Sequence, residues 1–130
     1  MTFRYIRIVS SSKSDSDYPL YLDAPVDGEG KIVTRGWLFG FFGRAKTDRV
    51  HPCIGRLDKD EPSLHFPFLF DFGTDFTEAE RYYWSNISNK KIEKAAQFAV
   101  KMPSEREGRF VEVIYEVREL IDLVNQKPID

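Results

Sequence analysis

Apolar and polar positions alternate along this chain with a period that shifts several times, and each shift marks an element. Residues 3–9 interleave arginines with Phe3, Tyr5, Ile6, Ile8 and Val9, a strand pattern. The serine-rich run 10–17 predicts a solvated loop, and 18–22 predicts a second strand that Pro19 confines to a sheet edge. Asp27-Gly28-Glu29-Gly30 predicts a turn, because glycine accepts the positive φ that tight connections need. The most apolar stretch follows at 31–42 and reads as a strand bent or bulged at a glycine. Residues 50–57 are a further strand candidate, weakened by Pro52 and Gly55, and 58–63 form a charged turn. From 64 to 72 alternation returns, with Leu64, Phe66, Phe68 and Phe70 on one face and His65, Pro67, Leu69 and Asp71 on the other.

Beyond residue 76 the pattern changes. Thr77 suits a helix N-cap, Glu78 and Glu80 suit the positive end of the helix dipole, and Glu80 meets the capping-box spacing. A main helix is therefore predicted from 77 to about 86. Residues 91–100 fit either a helix face (Ile92, Ala95, Ala96, Ala99) or the start of a strand. Near the C-terminus Val111, Val113, Tyr115 and Val117 alternate with Glu112, Ile114, Glu116 and Arg118, whereas Val113, Val117, Leu120 and Val124 also satisfy helical spacing, with Ser104 and Glu107 as a cap pair. The β-branched residues and Gly108 favour a strand over 109–118, paired with 98–101 across 103–108, and a short helix over 120–125. The expected fold is α+β in one domain spanning 1–130: an antiparallel twisted sheet of five or six strands, one main helix on one face, and a short C-terminal helix.

Composition supports a sheet. Aromatics reach 15%, with 11 Phe, 6 Tyr and 2 Trp, and flat bulky side chains fit pleated faces well. A net charge of -2, made of +2 over residues 1–60 and -4 over 61–130, generates no strong field for nucleic acid or an anionic membrane. The single cysteine excludes an intramolecular disulfide, no segment approaches the ~20 apolar residues of a helical membrane span, and residues 1–9 lack the apolar core of a signal peptide. A cytoplasmic location is the expectation.

Four groups of residues could carry chemistry. Trp37, Phe39, Phe41 and Phe42, flanked by Arg35, Arg44, Lys46 and Arg49, could stack nucleobases, but their glycines are out of register with the RNA-recognition signature. Packing of Trp37, Phe39 and Phe41 into a core is the favoured reading, with a protein or ligand contact surface next. His51, Cys53 and His65 are too few for a zinc site and lack paired short spacing; a buried inert thiol is expected. Asp71, Asp75, Glu78 and Glu80 could do acid–base work but read better as helix-start charges. Tyr82, Tyr83 and Trp84 cannot all point inward on a helix, whose residues are about 100° apart; half-exposed rings covering a core edge are the favoured reading, with an interface next. The sequence contains no phosphate-loop, dinucleotide or nucleophile-elbow motif and implies no cofactor. The leading expectation is a non-catalytic protein-binding or self-associating chain. The alternative is a ligand binder or small enzyme with a pocket lined by Trp37, Phe39, Phe68 and Tyr82 and served by His51, His65 or Asp71; nucleic acid ranks last.

Overall fold

The computed structural model describes residues 3–13, 18–44, 49–60, 64–76, 78–104 and 108–129. Its strands are β1 (Phe3–Ser12), β2 (Pro19–Asp27), β3 (Leu38–Arg44), β4 (Arg49–Leu57), β5 (Phe68–Asp71), β6 (Tyr82–Ser85), β7 (Gln97–Ser104), β8 (Arg109–Asp122) and β9 (Lys127–Pro128). Each strand pairs antiparallel with the next in sequence, and β8 also pairs with β1. That pairing closes β1–β8 into an eight-stranded up-and-down barrel, with β9 a two-residue addition to β8. Closure gives each of β1–β8 a partner strand on both sides among the described residues.

The α+β expectation is overturned. The helix foreseen at 77–86 is a single turn, α1 (Glu78–Arg81), after which Tyr82–Ser85 is strand. An isolated helical turn is costly to nucleate, whereas these four residues join ladders with both β5 and β7. The proposed cap at Thr77 lies outside the described residues, as do the Glu107 cap and residues 14–17 of the serine-rich loop. No helix forms over 120–125 either. Leu120 continues β8 opposite Ile8, and the Asp122 carboxylate then accepts the Val124 and Asn125 backbone N–H groups at 2.9 and 3.1 Å, turning the chain into β9.

Other boundaries moved for local reasons. Ser10 to Ser12 belong to β1 and are buried, not solvated: the Ser10 hydroxyl donates to the Leu20 carbonyl, and Ser11 accepts from Arg118. Pro19 opens β2, a position where no ladder donor is needed, so β2 sits between β1 and β3 rather than at an edge. The strand foreseen at 31–42 begins only at Leu38. Before it, the Asp27 carboxylate takes the N–H groups of Glu29 and Lys31, and Ile32 folds back to bridge Val26. The hairpin foreseen between 98–101 and 109–117 is present, with Phe98 opposite Tyr115 and Val100 opposite Val113.

Parity decides which side chains face inward. Ile8, Leu22 and Cys53 share one cross-strand row with Gly40, and Leu38, Phe70 and Tyr83 share the next with Gly55. Ile8, Leu20, Leu22, Phe42, Phe68 and Phe70 are fully buried, and with Tyr115 and Val117 they fill the barrel, as eight strands allow. Phe42 meets Phe70, Tyr83 and Tyr115 edge-on at 5.2–6.1 Å. The two glycines make this possible. A Cβ on Gly55 would lie 2.7 Å from the Phe68 ring, and one on Gly40 would lie 2.9 Å from the Tyr21 carbonyl oxygen. Charged side chains such as Arg7, Asp23, Asp71 and Glu116 face outward. The interior is apolar, unlike the polar interior of a membrane-spanning barrel.

Candidate functional site

Because the interior holds the protein's own rings, the candidate surfaces lie outside and at the mouths. On the outer wall the registers of β1 to β5 align Arg7, Asp23, Phe39, Ile54 and Asp71 in one row and Val9, Tyr21, Phe41 and Pro52 in the next. Phe39 and Phe41 thus point outward, not into the core as the sequence suggested. The even-numbered residues Leu38, Gly40 and Phe42 take the inward positions. Trp37, just before β3, is 77% exposed, Phe39 49% and Ile54 36%. Tyr21 stacks on Phe41 at 4.5 Å, and the Arg7 guanidinium lies over that ring while holding Asp23 through two hydrogen bonds of 2.7 and 2.9 Å.

Beside Trp37 is a recess of about 280 Å³, walled by Trp37, Phe39, Pro52, Ile54 and Phe72, with Arg56 and Asp71 at its polar side. Asp71 accepts Arg81 at 2.8 and 3.1 Å, Gly73 N–H at 2.9 Å and Arg56 at 3.4 Å. Burial pushes its pKa up, but the hydrogen bonds from Arg81 and Gly73, with the charge of Arg81 and the bond from Arg56, outweigh burial and hold it below the usual carboxylate range. A carboxylate so engaged is a fixed anion and a poor general base. Cys53 borders this recess but turns its side chain to the core beside Gly40; burial, then the Asp71 charge, pushes its thiol up to about 12, so it stays protonated and inert at neutral pH.

The expected pocket is therefore divided. Trp37, Phe39 and Asp71 do come together, but Phe68 is fully buried in the core, three positions from Asp71 and on the opposite face of β5. On a strand the trio 82–84 alternates. Tyr83 points inward to Phe42 and Phe72, while Tyr82 and Trp84 point outward, Tyr82 beneath the Arg81 guanidinium and Trp84 donating its indole N–H to Asp58 at 3.1 Å. His51 sits near the start of β4 and His65 beyond its end, separated by about the length of the strand, ~20 Å. Among the described residues no group of three His, Cys, Asp or Glu side chains is placed to hold a metal ion.

One mouth of the barrel forms a second concavity of about 220 Å³, bounded by Tyr18, His51, Phe72, Phe76, Glu80, Tyr83 and Pro103. The opposite mouth holds a wider depression of about 450 Å³, lined by Ile6, Val26, Ile92 and Leu120 below Arg4, Glu29, Lys91 and Glu93. The sequence reading missed Arg56 and Arg81 at the outer recess, and Tyr18, Phe72 and Phe76 at the first mouth. Their signal is three-dimensional, since they come from separate strands and loops. No family model matches the chain, and no curated protein or solved structure matches it significantly. The molecule is a small β-barrel in which the described residues assemble no recognised catalytic group.

Proposed function

We propose that this barrel is a non-catalytic binding protein that pairs with a second copy of itself through the outer face of β2–β4. The observation that carries this reading is Trp37, 77% exposed beside an apolar recess, on the outside of a barrel whose inside is filled. Exposed apolar patches of this kind mark contact surfaces, and Trp, Tyr and Arg are the residues that most often dominate binding energy. A two-fold contact requires one patch to be complementary to itself. Here knob and hole are neighbours, so a two-fold axis near Phe39 sets Trp37 of each copy over the recess of the other. The Arg7–Asp23 and Arg56–Asp71–Arg81 groups then form a polar rim.

A stable pair of this kind buries about 800 Å² per copy, close to a tenth of the 8325 Å² surface. Light scattering coupled to size exclusion across a concentration series tests the reading. A dimer that becomes monomeric on Trp37→Ala and on Phe39→Asp, with the fold intact by circular dichroism, supports it. A monomer at millimolar concentration overturns it and leaves the recess to a foreign ligand.

A further inference from the structure

We infer that the barrel mouth bounded by Tyr18, Phe72, Phe76, Tyr83, His51 and Glu80 is a binding site for an organic ammonium group. The site opens at the barrel mouth and shares only Phe72 with the recess beside Trp37, and the inference does not depend on self-association. Four of its lining residues are aromatic rings, Tyr18, Phe72, Phe76 and Tyr83. Phe72 meets Tyr83 at 4.7 Å and 64°, Phe72 meets Phe76 at 5.7 Å and 56°, and His51 meets Phe76 at 6.5 Å and 73°. Phe72, Phe76, Tyr83 and Tyr18 line one concavity beside Glu80, and an aromatic face carries the negative part of the ring quadrupole. Phe42 closes the floor, touching Tyr18, Phe72 and Tyr83 at 5.2–6.0 Å.

Charge and size both select the occupant. Glu80 supplies an exposed carboxylate on the wall. The hydroxyl groups of Tyr18 and Tyr83 hydrogen-bond to one another, which fixes both rings. Burial, reinforced by Tyr18, raises the pKa of Tyr83, so it remains a neutral phenol. The space of about 220 Å³ is smaller than a drug-sized pocket of ~300–1,000 Å³, which suits a head group and not a peptide or an acyl chain. Aromatic walls with one carboxylate are the chemistry that holds quaternary ammonium ions.

The test titrates the full chain with choline and, in parallel, with 3,3-dimethylbutan-1-ol, the same shape with carbon in place of the charged nitrogen. Isothermal calorimetry gives the affinities, and amide shifts in NMR spectra locate the site. The expected result is choline binding about tenfold tighter than the alcohol, a loss of about fivefold or more in Phe76→Leu, and a smaller loss in Glu80→Gln. Leu64→Ser, at a residue 92% exposed beyond the end of β4, leaves binding unchanged. Phe76 is 37% exposed, so its replacement spares the fold, which melting curves verify. Equal binding of the two probes, no choline binding, or shifts confined to other parts of the barrel overturns the proposal.

Discussion

Replacing Gly55 with alanine tests how the barrel interior is packed. The new methyl carbon would sit 2.7 and 2.9 Å from two atoms of the Phe68 ring and 3.3 Å from Leu22 Cδ1. Phe68 is fully buried and packs edge-on against Phe70 at 5.3 Å, so its ring has no vacant place to enter. Overpacking of a filled core costs about 1–3 kcal/mol. Gly55 does not adopt a positive φ, so alanine also restricts the unfolded chain and offsets about 0.4–1 kcal/mol of that cost. A net destabilisation of about 1.5 kcal/mol is expected, a fall in melting temperature of about 5 °C for a chain of this size. Urea unfolding followed by tryptophan fluorescence measures it. Phe68→Leu supplies the internal check: alone it leaves a void and costs about 1–2 kcal/mol, yet with Gly55→Ala it removes the clash. The double variant should be more stable than the sum of the two losses implies by about 1 kcal/mol. Additive losses, or a Gly55→Ala protein as stable as the parent, would refute the packing described for this row.

Three further outcomes follow from the same geometry. Cys53 should resist Ellman's reagent at pH 8 in the native protein and react in step with urea unfolding; rapid native modification would contradict a thiol raised to about 12 by burial. Asp71→Asn should lower stability at pH 7 and flatten the acid limb of the melting profile. The carboxylate has a depressed folded pKa, so its contribution is fully present above the unfolded value near 3.8 and disappears as pH falls through the folded one; an unchanged profile below pH 5 would count against it. At concentrations low enough for the chain to be monomeric, Trp37→Ala should change unfolding stability by no more than about 0.5 kcal/mol, because its side chain is 77% exposed. A large loss would mean that Trp37 supports the fold itself.

Sequence pattern was informative where the pairing is local and strong. Val111 to Val117 alternate cleanly, and the hairpin with β7 followed from that alternation and from Gly108. It misled where a short element borrows another element's signals. Glu78 and Glu80 have the placement of helix-start acids, but only one turn forms, and four residues at 82–85 are too few to display a period of two. Barrel closure left no local trace, because Ser10 to Ser12 look like a polar loop until they meet Tyr115 to Val117 across the chain. For the site, Trp37, Phe39 and Asp71 line one recess, but nothing in their spacing separates them from Phe68 without a register. Once β5 is aligned, simple parity sends Phe68 inward and Asp71 outward. The concavity at the mouth draws on four separate stretches of sequence, at 18, 51, 72–83 and 103, so no single window could contain it.

The seam between β1 and β8 also governs how quickly this molecule can reach its native state. Arg4 bonds to Asp122, 118 positions away, so the final zipper joins segments whose encounter carries a large loop-closure entropy. A topology with such a distant contact folds slowly for its size, on a scale of milliseconds to seconds. Until the seam forms, β1 and β8 present unpaired backbone to any other chain. The bulge where Val9 and Ser10 shift register against β8 lies at the centre of that zipper. Arg118 bonds to Ser11 there, a contact that can form only once the seam has closed.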